Sequence, residues 1–483
     1  MKLPNSDNVT SPGPRALALL PRLSGLIQGS HSTSSEVVCN NLSDLRVEDD
    51  MESWLMRLKC RRWLFAAKYN YERKHYEEAL DLVQKAINVQ SNPALALVRA
   101  GSCLRNLKRY DESINYIERA LKIVPNYGDA HAFLSLTLSE LGRNQEALES
   151  LNRAIRIKPS LVESEFWLYQ LALMRAEAKH WEQALAAFTK LTELNNKYGN
   201  AWHGVGWASE NLDRDSEAVP AYKRAAELIP ENQVVQSNLG SVYLRLGRPK
   251  EGLEHLQRSK ELLPTRALTH LNLCHAYCDL EDFDNALASI LEALELDPTL
   301  KEGHQLLGFV YERLGRYEDA VKAIEAGIQI EPDNAELYSQ LAQCKQELGN
   351  HVEARDAARE AVRLRPDSAS AHLTLGYVLQ NQGSFDEAII AHKKSLELNP
   401  GQFEPHGNLG KIYMELGQYE KALCALLTAA GIKPDDAKLH FDLGEVYIRL
   451  GKREEALDEL QALKNLHDPL AEDLAKQIDS NSV

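Results

Sequence analysis

Residues 303–332 read Gly303-His-Gln-Leu-Leu307-Gly308-Phe-Val-Tyr311-Glu-Arg-Leu-Gly315-Arg-Tyr-Glu-Asp-Ala320-Val-Lys-Ala-Ile-Glu-Ala-Gly327-Ile-Gln-Ile-Glu-Pro332, and this stretch decides the fold. The pair Leu307-Gly308 and Tyr311 three residues later belong to one helix, which Gly315 ends. The small residues Ala320 and Gly327, seven apart, lie on a second helix and let two helix backbones approach closely. Pro332 cannot continue that helix and sets the turn into whatever follows. Two antiparallel helices and two short turns account for about 34 residues.

The same signature recurs along the chain. The small residue opening the second helix stands at Ala79, Ser113, Ala147, Ala184, Ala218 and Gly252, then at Ala286, Ala320, Ala354, Ala388, Ala422 and Ala456. Each step is 34 residues except Ala147 to Ala184, which is 37. Leu-Gly pairs recur at Leu239-Gly240, Leu375-Gly376, Leu409-Gly410 and Leu443-Gly444, and glycines 247, 349, 383, 417 and 451 end further first helices. Pro125, Pro159, Pro230, Pro264, Pro298, Pro366, Pro400 and Pro434 close their units. The three extra residues of the fourth unit fall around Ser160 to Ser164, and Ser91 stands where the first unit should carry its Pro.

On these residues the chain resembles the tetratricopeptide repeat family over roughly residues 60–468. The resemblance implies an all-α fold, a right-handed superhelical solenoid of antiparallel helical hairpins. Residues 51–468 then hold about twelve repeats. Residues 1–50, rich in Ser, Asn, Pro and Gly, are expected to be a disordered extension. Residues 469–483 form a capping helix and tail, with Leu470, Leu474 and Ile478 spaced i, i+4, i+8. Met51 to Cys60 offers a cap for the other end.

Composition narrows the function classes. With 44% apolar and 26% charged residues the chain reads as soluble. Its net charge of -15 argues against non-specific binding to nucleic acid or anionic membrane, which need clustered Lys and Arg. Seven scattered Cys do not make a disulfide framework and fit a reducing, cytoplasmic compartment. No run approaches the about 18 apolar residues of a membrane span. The nearest, Ala16 to Ile27, is broken by Pro21 and Arg22; it reads as part of the disordered extension, with an organelle-targeting or export peptide as the alternative.

Nothing in the chain reads as a catalytic, cofactor or metal site. There is no phosphate-binding Gly-rich loop, HExxH motif or paired CxxC. His270, Cys274, His275 and Cys278 are the best metal candidates, with His270, Cys274 and Cys278 on one helix face. Cys274, however, occupies the slot where sister units carry Gly240, Gly308 and Gly376, so a small core residue is the reading preferred there. The fifteen His lack a recurrent Ser or acid partner and are expected on exposed helix surfaces.

The family resemblance implies that first helices line a concave groove holding an extended peptide or a partner helix. In the Leu-Gly register the residue before Leu falls at Asn238, Asn272 and Asn408, with Gln170 and Gln340 equivalent and with Arg99, Phe133, Gly204, Leu306, Thr374 and Asp442 departing from the pattern. The array is similar here to that of O-linked N-acetylglucosamine transferases, in which the same slot carries Asn. An amide can donate and accept together, and so grip a peptide backbone whatever its sequence. The residue after Gly places Trp207, Phe309 and Tyr377 as aromatic anchors, or alternatively as packing between units. The Lys, Asn and Arg set of chaperone-tail clamps is incomplete. Charges in the inferred groove run from Arg61, Lys68 and Arg99 at one end to Glu302, Glu336 and Glu404 further along.

The expected function is therefore a non-enzymatic scaffold whose partners are other proteins or peptides, with no nucleic acid, no direct membrane insertion and no cofactor. The alternatives are the targeting subunit of a glycosyltransferase-type enzyme and an assembly or secretion factor.

Overall fold

The computed structural model describes residues 46–89 and 92–480. The expectations for residues 1–45, including the targeting peptide, and for Ser91 lie outside the described residues. The described residues form twenty-five α-helices and one short 3-10 helix, without a strand. The chain divides into two compact units, Met1–Leu141 and Gly142–Val483.

The first unit contains Arg46–Glu72, Tyr76–Val89, Ala94–Asn106, Tyr110–Ile123 and Gly128–Glu140. Its opening helix is 27 residues long, twice its neighbours. Met51 to Cys60, read above as a separate cap, belongs to this helix, which already begins five residues earlier. One side of it is buried through Cys60, Leu64 and Ala67, and these pack with Val83, Ala86 and Leu97 in one apolar cluster.

The second unit starts with Asn144–Ile157 and continues as hairpins from Glu165–Glu177 and Trp181–Leu194 to Ala437–Arg449 and Arg453–Asn465. The three extra residues appear as the 3-10 helix Pro159–Glu163, immediately before Glu165–Glu177. The helix Leu470–Ser480 closes the unit against both Ala437–Arg449 and Arg453–Asn465. Ala471, Leu474 and Ile478 are its buried residues.

Local chemistry explains the helices. Many second helices carry acids in their first turn, such as Glu318 and Asp319, facing the positive end of the helix dipole. Asn232 and Asn334 cap first helices by accepting two backbone N–H bonds each. Close approach within a hairpin needs the missing side chain of its central Gly. A Cβ on Gly206 would lie 2.7 Å from the fully buried Tyr222 ring, and one on Gly240 would lie 2.6 Å from Leu256. Besides pairing within each hairpin, several neighbouring first helices of the second unit touch one another directly, Ala335–Glu347 on Ala369–Asn381 most extensively.

Candidate functional site

In the N-terminal unit the first helices, together with Val83 of a second helix, line a cavity of about 260 Å³. Its wall is mainly apolar, from Ala67, Val83, Leu95, Val98, Tyr127 and Phe133, with Lys68, Arg99 and Asp129 as its charged residues. Tyr71 is held there by a hydroxyl contact of 2.9 Å to Ser102 Oγ and by Asn106, whose Nδ2 donates to the Tyr71 hydroxyl at 2.9 Å. Arg99 is anchored by donation from Nη1 to the Leu64 carbonyl at 3.0 Å. Burial pushes the neighbouring Cys103 thiol up to about 12, so it stays neutral at physiological pH.

Arg99 and Phe133 are slot residues that depart from the amide pattern, and they stand on this wall. The sequence register therefore reached the cavity by two of its residues. The pocket itself was not legible, because its depth depends on how Tyr71 and Val83 of two helices pack with Tyr127, the residue before a third.

The six residues singled out in the register all lie in the second unit and are partly buried. Asn238 Nδ2 lies 3.2 Å from His203 Nε2 and donates to the Tyr222 hydroxyl at 3.4 Å. Asn272 donates to Ser241 Oγ on the preceding first helix at 2.8 Å. Asn408 has no hydrogen-bond partner among the described residues. Trp207 packs edge-on against Trp181, with ring centroids 5.1 Å apart. Phe309 packs against the cluster around Leu271 and Ile290. The Tyr377 hydroxyl donates to Glu347 at 2.7 Å. Among the described residues, no hydrogen bond or ring contact joins two of the six.

Other slot residues leave polar atoms unanswered. Gln340 Oε1 and Asp442 Oδ2 are buried without a hydrogen-bond partner. The Asp442 carboxyl is raised by burial, although Lys411 lies 3.6 Å away. Burial likewise lowers the Lys411 ammonium. This end of the first-helix face thus holds an ion pair in which Asp442 Oδ2 itself faces the Lys411 ammonium, beyond hydrogen-bond distance.

The histidines depart from the exposed positions expected of them. His131, His270 and His392 are buried. A recurrent device accounts for much of this: His131, His270, His304, His372 and His440 each place Nε2 at 2.7–3.1 Å from the carbonyl of the Pro six residues earlier. In this way the ring ties down the turn that precedes its helix. The Pro-x5-His spacing is visible in the sequence once that geometry is known. His270 is engaged further, with Nδ1 2.9 Å from Glu292. Cys274 is fully buried in the Gly slot, whereas His275 is exposed. No group of three His, Cys, Asp or Glu among the described residues is placed to hold a metal ion. No described helix is long and apolar enough to cross a membrane.

Comparison with known proteins follows the repeat. A model of the C-terminal domain of cilia and flagella-associated protein 70 matches residues 212–408, and two tetratricopeptide repeat models match residues 93–160 and 410–451. Anaphase-promoting complex subunit 3 of Schizosaccharomyces pombe is 31% identical over 67 residues, 14% of this chain. The match spans 10% of that relative's length. Among solved structures, the APC/C hetero-tetramer Cut9–Hcn1 is similar with 14% identity over 87% of this chain and 95% of that one, at a TM-score of 0.46. Yeast Tom70 gives 15% identity over the same shares, at 0.45. A tetratricopeptide repeat protein of Parabacteroides merdae gives 16% identity over 51% of this chain and 98% of that one, at 0.46.

Proposed function

The chain belongs to the tetratricopeptide repeat family, and from that premise we propose that it is a non-enzymatic interaction scaffold receiving a peptide or partner helix on its first-helix face. The observation that carries this reading is the open apolar cavity among the first helices of the N-terminal unit. A preformed concave site with a few charged groups at its wall suits an inserted side chain. Asn408 and the unfilled acceptor of Gln340 support a further role for the second unit's first helices in gripping a ligand backbone. Asn238, Asn272, Trp207, Phe309 and Tyr377 share their contacts between ligand and neighbouring helices in this reading. A cytoplasmic setting goes with it, supported by Cys60, Cys103, Cys274 and Cys344 serving as buried apolar residues.

The test places a photo-crosslinking residue at Leu95, on the cavity wall and 45% exposed, and a control at Val352, on a second helix and 63% exposed. Discrete protein adducts should form in cells from position 95 and not from position 352. Identical adduct patterns at the two positions would sink the reading.

A further inference from the structure

Charge is divided unevenly along this acidic chain. Residues 1–141 contain 18 Lys or Arg against 16 Asp or Glu, which leaves 37 against 54 in the remainder. Within the first unit the cations concentrate on the opening helix and the turn that follows it: between Arg57 and Lys74 there are seven, against the single acid Glu72. Arg57, Arg61 and Lys68 recur at i, i+4 and i+11, on one face of the helix, and all three are exposed. Lys68 lies on the cavity wall with Arg99 from the next hairpin, and pairs at the exposed rim with Glu72 at 3.7 Å. Asp129, in the first turn of its own helix, is the one acid on that wall. On the adjoining face of the opening helix Trp54, Leu58, Phe65 and Tyr69 are exposed by 59, 46, 76 and 50%.

We propose that the N-terminal unit docks an acidic polypeptide segment bearing one large apolar side chain, which enters the cavity while flanking carboxylates meet Lys68, Arg61 and Arg99. This inference rests on the scaffold reading above and names the chemistry of its partner. The two recognition elements are complementary. A cavity of about 260 Å³ with an apolar wall selects a bulky side chain but says nothing about what flanks it. The cation row beside it selects acids and repels basic competitors, and it steers the encounter in a salt-dependent way. Protein is favoured over an anionic membrane because the cations lead into a concave pocket, whereas a flat surface could touch only the rim. The exposed aromatic row extends the track for a segment longer than its anchor.

The experiment uses the full chain and a phage library of random dodecapeptides. Two variants disable one element each without touching the core: Leu95→Trp fills the cavity mouth, and the pair Arg61→Glu with Lys68→Glu reverses the cation row. Circular dichroism melts of both should match the parent. The expected result is a set of clones whose recovery falls at least tenfold on either variant, carrying Asp and Glu around a single Leu, Ile, Phe or Trp. Their binding should weaken as NaCl is raised. Clones indifferent to both variants, or sensitive clones without acidic enrichment, overturn the proposal. So does binding to phosphatidylserine vesicles that the charge reversal abolishes while no acidic clone is selected, since the face would then serve a lipid surface. If crosslinks from position 95 persist while acidic clones are absent, the scaffold reading stands and this inference alone falls.

Discussion

His392 is the most exceptional residue of the array. In the register its sister positions include Leu256, Ile290, Ile324 and Leu426, with Tyr222 and Ala358 in the same slot, each packed inside its hairpin. His392 is fully buried in the same place, over Gly376, where a Cβ would lie 2.6 Å from the ring. Neither ring nitrogen finds a hydrogen-bond partner. Burial pushes its pKa down from 6.5 to about 4. The unfolded chain therefore takes up a proton below about pH 6.5 that the folded chain refuses until near pH 4. Stability held above that window is lost as pH falls through it, by up to about 3 kcal/mol at the acid end. His392→Leu should stabilise the protein by about 1–2 kcal/mol at neutral pH, by relieving two unsatisfied polar atoms. The gain should grow as pH falls from 6.5 to 4. Urea denaturation of both proteins across that range checks it, and a gain independent of pH would refute the assignment. His203, also pushed down to about 4, is present in both proteins and cancels in the difference.

At the scale of elements, the turn between the two helices of a hairpin is legible in the sequence only where Gly holds it. Glycines 142, 247, 315, 349, 383, 417 and 451 take the left-handed conformation there, at φ between 67° and 76°. Lys74, Lys108, Lys179, Asp213, Glu281 and His467 adopt the same conformation at φ between 55° and 64°. A helical hairpin forces that geometry, because the backbone must reverse within a few residues, and non-Gly side chains tolerate it at a cost of roughly 1–2 kcal/mol. Glu281 is such a case: its N–H donates to the Cys278 carbonyl at 3.0 Å. Replacing it by Gly leaves that bond in place and removes the clash of its Cβ. Glu281→Gly should therefore stabilise the protein by about 1 kcal/mol, offset in part by the greater freedom of Gly in the unfolded chain. A fall in the urea midpoint would show that the Glu281 side chain contributes contacts that outweigh the strain.

At the scale of the whole molecule, a hairpin finds its contacts in itself and its neighbours. Stability is then close to a sum of unit and interface contributions. Excision of residues 301–334, one period, brings Leu300 next to Ala335 and restores a first helix at the position it vacates. The shortened chain should fold with unchanged helicity per residue and a reduced urea midpoint. Circular dichroism with denaturation tests this, and collapse of the whole helical signal would contradict the repeat description.

The period of 34, the small residues opening second helices and the closing prolines by themselves determined the all-α hairpin fold, because each hairpin meets the same local constraints. The register also marked Arg99 and Phe133, although as exceptions. Tertiary packing decided the remainder. It used Trp207 against Trp181 and tied Asn272 to Ser241, so that residues read as facing a ligand also serve the interfaces between hairpins. It hid His392 in a core position and turned five other His toward proline carbonyls. It opened the cavity beside Tyr71 by bringing four helices together. A residue's slot follows from helical periodicity, but its exposure depends on what the neighbouring hairpins place against it, and that is a property of contacts about 30 residues apart along the chain.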